Sequence, residues 1–392
     1  MNRMAFAILS GTMFLSMIGF GLIVPLLPVY ARDFGASSVE VGMLFSVTAM
    51  ANLVMLPVIG PWSDRHGRVM FMCIGLLIMS VGTLGLWAAD SVAMLLLCRA
   101  LQGVSMSMHL PVAQAMLGDM VPTGQEGRWM GYFNAIMFSG LGAGPLIGGY
   151  ASDLIGVEQV FLVSGGVMFL ALIATAAYLR DPQRKQKERP GHAWSWSLLR
   201  NPVVCGISCL QACMGVLTGL SMAFLPVLAS ESLALGATAI GLVLFVRTPI
   251  SALQSWSGKL ADTHSRKVQI ALGIVMASSA IIAMPLVSGV MGLLLANAIL
   301  ALGAVLVQPA SSAYMVEQGR TLGMGFAMSL IFMAMQVGGG FGPVAAGWIM
   351  EQGGLAVGFY AAGALNMLGL VVFLWLMRGV SHRSALPADA SI

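Results

Sequence analysis

The sequence predicts an all-α polytopic membrane protein with twelve transmembrane helices in two pseudo-symmetric bundles of six. Hydrophobic residues make up 58% of the 392 residues and charged residues only 9%, whereas a soluble domain carries roughly a quarter charged residues. The apolar residues form long unbroken runs that suit helices of about 20 residues, not the short alternating segments of an outer-membrane barrel. In addition, special residues recur at one offset of 198 residues, which indicates duplicated halves.

Each predicted span corresponds to one apolar run. The runs lie at residues 5–30, 40–60, 69–88, 92–116, 129–151, 159–178, 202–228, 237–257, 268–288, 291–315, 323–349 and 355–377. The first run contains Pro25 and Pro28 and is too long for a cleaved signal peptide, so we interpret it as a span. The five cysteines all lie in apolar runs without metal or disulfide spacing and are expected to be buried small hydrophobes.

Basic residues predict the topology and the domain limits. Cytoplasmic loops are enriched in lysine and arginine, and placing both termini in the cytoplasm leaves only Arg32 outside among the loop residues. We therefore expect a multi-pass protein of the bacterial inner membrane with cytoplasmic termini. The predicted units are a first bundle at 1–179, a cytoplasmic linker at 180–200, a second bundle at 201–379 and a cytoplasmic tail at 380–392.

The repeat is read from glycines, prolines and charges that coincide at the 198-residue offset. Kinks and close helix contacts must recur at the same depth in both halves, which explains the residue types. The pairs are Pro28 and Pro226, Gly60 and Gly258, Asp64 and Asp262, Arg68 and Arg266, Pro111 and Pro309, Asp119 and Glu317, Gly127 and Gly325, Gly144 and Gly342, Pro145 and Pro343, and Gly149 and Gly347. Six spans per half make the halves parallel, with an axis along the membrane normal.

Three motifs make the chain resemble the major facilitator superfamily, and within it the drug:proton antiporters of twelve spans. The segment from Gly60 to Arg68 between spans two and three resembles that family's loop signature, and residues 258–267 echo it. Arg99 with Gln102 and Gly103 in span four resembles a second motif. The run from Gly140 to Gly149 in span five resembles the motif of antiporters. The resemblance implies secondary transport by alternating access.

The loop motif is expected to act as a conformational latch. Gly67 permits a tight turn, Asp64 can accept hydrogen bonds at the start of span three, and Arg65 and Arg68 face the cytoplasm. The resemblance implies that this cluster ties span two to span eleven in the outward-open state; the alternative is a basic loop with no dynamic role. The predicted latch residues are Gly60, Asp64, Arg65, Gly67 and Arg68, with Gly258, Asp262, Arg266 and Lys267 as the echo.

The span-five motif is expected to act as a hinge. Gly140, Gly144 and Gly148 recur every four residues on one helix face, which allows close helix approach, and Pro145 bends the helix. Gly149 completes the motif. Static packing is the alternative.

Buried polar residues predict the substrate or proton pathway. Arg99 and Arg247 are the only basic residues within spans, and at the repeat offset they correspond to Asn297 and Ala49, so the common scaffold requires neither charge. His109 can exchange a proton near neutral pH, although a neutral structural histidine is equally consistent with the sequence. The predicted pathway residues are Arg99, Gln102, His109, Asn134, Gln211, Arg247 and Gln336.

One departure from the antiporter pattern affects the function. Many such exporters carry a membrane-embedded carboxylate, whereas every Asp and Glu here lies in or beside a loop. The leading hypothesis is an exporter of small amphipathic compounds with a proton as coupling ion, which either His109 or a peripheral acid such as Asp33 would carry. The alternative is an exporter or facilitator of an organic anion, lipid or siderophore-like metabolite without embedded-carboxylate coupling.

Other classes are disfavoured. The sequence shows neither catalytic spacing nor a metal-ligand cluster nor a nucleotide-binding loop, so we expect no enzyme and no cofactor or metal. A transporter-like membrane sensor is the alternative from another class. The expected partners are a small-molecule substrate and membrane lipid, with no nucleic acid, and the chain is expected to be a monomer.

Overall fold

The computed structural model of the chain describes residues 3–121, 126–181, 201–322 and 324–378. All regular secondary structure in these ranges is helical, with one turn of 3-10 helix at Met284–Leu286. The α-helices are, in chain order, α1 (Arg3–Ile23), α2 (Leu27–Asp33), α3 (Ser38–His66), α4 (Arg68–Trp87), α5 (Val92–Met120), α6 (Glu126–Ile155), α7 (Val157–Tyr178), α8 (Pro202–Leu233), α9 (Ala237–Phe245), α10 (Arg247–Ser251), α11 (Gln254–Thr263), α12 (Arg266–Ala283), α13 (Gly289–Leu322), α14 (Met324–Gly353) and α15 (Leu355–Leu376).

These helices make twelve membrane crossings. Ten helical stretches in the described part of the chain are long and apolar enough to span a membrane. An eleventh crossing is α6, whose 30 residues extend about 45 Å at a rise of 1.5 Å per residue. The twelfth consists of α9, α10 and α11, which follow one another along the chain. The predicted fold class is confirmed.

Two of the predicted spans are interrupted, and proline accounts for both interruptions. The first span consists of α1 and α2, with Pro28 in the first turn of α2, where a proline needs no amide hydrogen. In the eighth span Pro249 lies in α10 and cannot donate to the carbonyl four residues earlier, at Phe245, where α9 ends. The apolar pattern predicts continuous helices in both spans, and these two breaks correct that expectation.

The two membrane faces of the molecule differ in charge. We call the face that carries Arg65, Arg266 and Arg378 the basic face. We call the other face, which carries the turns at Gly156 and Gly354, the opposite face. These two glycines are separated by the repeat offset and have φ angles of 89° and 88°. Such positive φ angles favour glycine, so the same turn between a fifth and a sixth crossing is built twice.

Each half packs mainly on itself. In the first half α1 packs on α6 and α4 packs on both α5 and α7; in the second half α8 packs on α14 and α12 packs on both α13 and α15. The halves meet through α3 against α14 and through α6 against α9, which are equivalent pairs under the repeat. The predicted domain limits stay a prediction, because residues 182–200 of the linker and residues 379–392 lie outside the described residues.

Glycines bring the backbones of the two halves together. A Cβ built on Gly149 of α6 would lie 2.2 Å from the carbonyl oxygen of Ala237, and one built on Gly347 of α14 would lie 2.3 Å from that of Ser38. Any larger residue would force the helices apart. Close helix approach through small residues replaces the hydrophobic driving force that lipid removes.

An ion pair beside the basic face is also built twice. Arg68 Nε lies 2.6 Å from Asp119 Oδ2, and Arg266 Nη1 lies 3.1 Å from Glu317 Oε2. Both pairs join the start of a third crossing to the end of a fourth, and both partners are related by the repeat offset. The Arg68 side chain is only 4% exposed, whereas Arg266 is 27% exposed.

This difference in burial predicts unequal contributions to stability. We expect Arg68→Ala to lower the free energy of unfolding by about 1.5–3 kcal/mol, because it leaves carboxylates without their buried partner. We expect Arg266→Ala to lower it by about 0.2–1 kcal/mol, as for an exposed pair. Thermal unfolding of both variants in the same detergent measures the difference. Equal losses would contradict this assignment.

Candidate functional site

The first polar cluster centres on Arg99 of α5, which is 3% exposed. Its Nε donates to the carbonyl of Leu44 at 2.9 Å, and its Nη1 donates to Gln102 Oε1 at 2.7 Å. The Gln102 amide donates in turn to Thr83 Oγ1 at 3.0 Å, and Thr48 Oγ1 donates to the Arg99 carbonyl at 3.0 Å. The cluster joins α3, α4 and α5.

The positive charge of Arg99 is balanced without a carboxylate. Among the described residues Arg99 forms no ion pair; its guanidinium carbon lies 5.9 Å from the ring centre of Phe20 and 5.5 Å from that of Phe45. Aromatic faces attract cations, and the carbonyl and amide oxygens supply further partial negative charge. A buried cation held in this way retains its attraction for an anion.

A second polar cluster surrounds Arg247 of α10, which is half-buried. Its Nε donates to Asn297 Oδ1 at 2.8 Å and its Nη2 donates to Ser221 Oγ. The Asn297 amide donates to the carbonyl of Val243. In the described part of the chain Arg247, like Arg99, forms no ion pair.

The two clusters contain the same kind of hydrogen bond between the fourth and the second crossing of a half. Asn297 stands at the position equivalent to Arg99, and both side chains donate to a backbone carbonyl of the second crossing in their own half. In the second half the neutral Asn297 makes this hydrogen bond, and the positive charge is on Arg247 of α10 instead. The structural link does not require either charge, in agreement with the expectation from the repeat.

No hydrogen bond among the described residues joins the predicted pathway residues outside the two clusters to the two arginines. His109 is 2% exposed, and neither ring nitrogen has a hydrogen-bond partner among the described residues. Gln211 donates to Gln308 Oε1 at 3.2 Å, but its own Oε1 is without a partner, as is Oδ1 of the half-buried Asn134. Gln336 is half-buried. Buried polar atoms without partners are costly, so these positions suit water or a polar solute.

A cavity of about 470 Å³ lies between α1 and α6, toward the basic face. The cavity is open on one side, so it is a groove and not an enclosed pocket, and most of its lining side chains are apolar. None of the predicted pathway residues lines it, and sequence reasoning missed it because residues of two distant helices form it. The lining residues are Phe6, Ala7, Ser10, Gly11, Phe14, Ile136 and Ser139.

The glycines of the predicted hinge face two different helices. Cβ atoms built on Gly140, Gly144 and Gly148 would lie 2.5–2.8 Å from the α1 backbone, so this face packs within the first half. Gly149 faces α9, and a Cβ built on Gly241 of α9 would lie 2.2 Å from the Pro145 carbonyl oxygen. The helix is continuous through Pro145. The hinge therefore connects the fold of one half with the interface between halves.

The loop motif is organised around Arg68, and the structure corrects two expectations. Arg68 is buried rather than facing water, and it pairs with Asp64 at 3.1 Å as well as with Asp119. The acceptor at the start of α4 is Asp181, whose Oδ1 receives the amides of Arg68 at 2.7 Å and Val69 at 3.1 Å. Sequence reasoning assigned that role to Asp64, because Asp181 follows the sixth span in a segment interpreted as linker.

The remaining latch residues fit this arrangement. Gly67 has a φ of 101°, and a Cβ there would lie 2.5 Å from Asp181 Oδ2. Arg65 is exposed, and a Cβ built on Gly60 would meet open space. The Arg68 partners Asp64, Asp119 and Asp181 all belong to the first half or directly follow it.

The corresponding motif in the second half, residues 258–267, makes different contacts. Arg266 Nε donates to the Ala261 carbonyl at 3.1 Å, and Lys267 Nζ donates to the Met377 carbonyl at 2.7 Å. A Cβ built on Gly258 would meet open space. The side chain of Asp262 lies outside the described residues. The third crossing is thus anchored to the end of the sixth crossing in both halves, by a carboxylate in one and an ammonium in the other.

Comparisons with known proteins agree with this architecture. The family model described as Major Facilitator Superfamily matches residues 9–318 and 207–391. The quinolone resistance protein NorA of Staphylococcus aureus is 25% identical over 390 residues, covering 95% of this chain and 96% of that protein. An uncharacterized MFS-type transporter of Methanocaldococcus jannaschii is 25% identical over 380 residues, covering 94% and 97%.

A solved structure shares the fold. The crystal structure of a bacterial homolog of the human lysosomal transporter Spinster, in an inward-facing and unoccupied conformation, superposes with a TM-score of 0.81 at 16% identity and covers 95% of this chain and 96% of that one. The match of the family model along both halves, together with the duplicated six-crossing fold, places the chain in a family: it belongs to the Major Facilitator Superfamily.

Proposed function

We propose that this transporter exports small amphipathic compounds by alternating access, with a proton as coupling ion. The observation that carries the proposal is the asymmetric contact between the halves. They meet by glycine contacts and hydrogen bonds at the opposite face, whereas the 470 Å³ cavity, which lies between α1 and α6 of the first half, is on the side of the basic face. Similarity to NorA along nearly the whole chain supports export.

The orientation follows from charge. If the basic face is cytoplasmic, both termini lie in the cytoplasm and the contacts between the halves close the external side. The cavity between α1 and α6 would then take up substrate from the cytoplasm. This is the arrangement from which an exporter loads, and the pathway lies within one chain, so a monomer suffices.

Arg99 and Arg247 support the second candidate, an exporter of an organic anion, lipid or siderophore-like compound. Each is a cation within a span and has no ion pair among the described residues. Such groups favour neutral or anionic substrates, whereas a cation would require a buried acid. In the proton-coupled version, His109 is the titratable side chain within a span that is suited to carry the proton.

Dye and drug efflux from a pump-deficient bacterial host tests the proposal. The panel contains cationic, neutral and anionic compounds, each with and without a protonophore. We expect export of neutral and anionic amphipathic compounds that stops when the proton gradient collapses. Export that persists with the protonophore would contradict proton coupling, and a lack of efflux across the panel would contradict multidrug export.

Charge-removing variants test the role of the two arginines. We expect Arg99→Gln and Arg247→Gln to reduce the transport of anions by about ten- to hundredfold, because each loses a charge-assisted interaction of roughly 1.5–3 kcal/mol. Transport of neutral compounds should fall less. Arg99→Lys and Arg247→Lys retain the charge and serve as controls. An equal loss for anions and neutral compounds would indicate a structural role alone.

Substitution of an interface glycine tests alternating access. Gly149→Ala places a Cβ against the α9 backbone, so we expect weaker closure of the opposite face and slower transport. Gly131→Ala is the matched control in the same helix, because a Cβ there meets nothing within 4 Å. Reaction of a thiol reagent with a cysteine introduced at Ala237, in a chain whose five native cysteines are replaced by alanine, measures the opening of this face, and efflux measures transport. Identical behaviour of the two variants would contradict the assignment.

A further inference from the structure

Asp153, at the end of α6, caps a helix of the other half. Its Oδ2 receives the amide of Thr238 at 2.9 Å and the Thr238 hydroxyl at 2.5 Å, and its Oδ1 receives the amide of Ala237 at 3.2 Å. These are the first amides of α9, which have no acceptor within their own helix. The carboxylate also lies at the positive end of the α9 dipole.

Glu351, at the end of α14, makes the equivalent contact. Its Oε1 receives the amide of Val39 at 3.1 Å, in the first turn of α3. Asp153 and Glu351 are separated by the repeat offset of 198 residues, and so are Val39 and Ala237. The same link between halves is therefore built twice, once in each direction.

The links lie directly beside the glycine contacts between the halves. Gly149 is one turn before Asp153 and Gly347 is one turn before Glu351, and both approach the start of the helix that is capped. The ion pair of Arg32 with Glu231, at 3.0 Å, also joins the halves at this face. It has no equivalent under the repeat, because the corresponding residues are Ser230 and Asp33.

We propose that Asp153 and Glu351 form a duplicated latch that holds the two halves together at the opposite face. Each carboxylate stabilises the conformation in which this face is closed, because its acceptor role depends on an amide of the other half. Opening of this face must break both caps. The role of this latch as a gate in transport rests on the proposed function, whereas its effect on the closed conformation does not.

The Asp153 carboxyl is expected to be ionised at physiological pH. Partial burial raises the pKa of the Asp153 carboxyl, but the hydrogen bonds from Thr238 and Ala237 lower it more, so that the pKa lies below its ordinary value. A lowered pKa in the closed conformation means that the ionised form favours closure, and this contribution is lost only as the pH falls through the lowered pKa.

Other charged groups at this face do not replace the caps. The described ionisable residues on the elements near the two caps are Arg32, Asp33, Glu40, Asp90, Glu158 and Glu231. Arg32 is engaged with Glu231, and Glu40 accepts the amide of Ser37 within its own capping box. Neither is part of the caps formed by Asp153 and Glu351.

Hydrogen–deuterium exchange of the full chain tests the proposal in Asp153→Asn, Glu351→Gln and the double variant. These changes keep side-chain size and remove the charge. We expect exchange at the starts of α9 and α3 to rise about threefold in the single variants and about tenfold in the double variant. The two effects multiply because each charged cap makes a separate, additive contribution to the same closed conformation. We also expect exchange of the segment 6–14, which contributes five residues to the remote cavity, to fall because the second half covers this segment when the basic face closes.

The remote segment distinguishes a latch from a local cap. Unchanged exchange at residues 6–14 in the double variant would overturn the proposal, even if the capped amides exchange faster. Glu158→Gln is the matched control, because this carboxylate lies in the first turn of α7 within its own half; it should leave both regions unchanged. Thermal unfolding checks that the variants fold. If the wild-type chain shows no efflux while the remote effect occurs, the latch holds and the proposed function fails.

Discussion

Close backbone contact through glycine is the interaction on which this molecule depends. Lipid is as apolar as a leucine side chain, so burial of apolar surface contributes little to helix association in a membrane. Dispersion contacts and hydrogen bonds must hold the helices together, and both require short distances. The approach of Gly144 to Gly21, where a Cβ would lie 2.5 Å from the facing Cα, shows how close α6 lies to α1. The adjacent face of α6 uses Gly149 in the same way against α9.

This double use of α6 has a mechanical consequence. The contact with α1 is internal to the first half and has no reason to change when the halves move. The contact with α9 crosses between the halves and must slide or separate. The α6 helix therefore has one glycine face that is fixed against α1 and one that can move against α9, so it can rotate with its half without unfolding. In the second half α14 has the equivalent position, and its Gly347 faces the start of α3. The two crossings thus form a matched pair about the repeat axis.

The two buried arginines Arg68 and Arg99 differ in the charge of their partners. Arg68 is surrounded by carboxylates, and these contacts neutralise it and fix the start of α4. Arg99 is equally buried but has only carbonyl, amide and aromatic partners. A static scaffold would use a neutral residue there, as the second half does with Asn297, because a buried charge without a counter-ion is costly. The charge of Arg99, unpaired among the described residues, is the observation on which the proposed preference for neutral or anionic substrates rests.

Much of the fold followed from the sequence, because apolar runs and the repeat offset are local or periodic signals. The breaks at Pro28 and Pro249 were accessible in principle but were masked by the continuous hydrophobicity around them. The partners across the halves were not accessible. Asp153 and Val39 carry no periodic signal that names their partners, and Asp181 contacts α4 from a position more than 110 residues away. Such contacts are set by tertiary packing, so they emerged only from the structure.

The repeat also constrains the energetics of conformational change. A transporter needs two states that differ by only a few kcal/mol, since a larger gap would trap one of them. Charged caps on exposed helix starts contribute about 0.3–1 kcal/mol each, which is small enough to break in every cycle. The glycine contacts beside them are close packing of backbone against backbone and include no side-chain hydrogen bond that must be exchanged with water. A closed face built from several weak links of this kind can open without any single large barrier, whereas one strong buried ion pair across the halves could not.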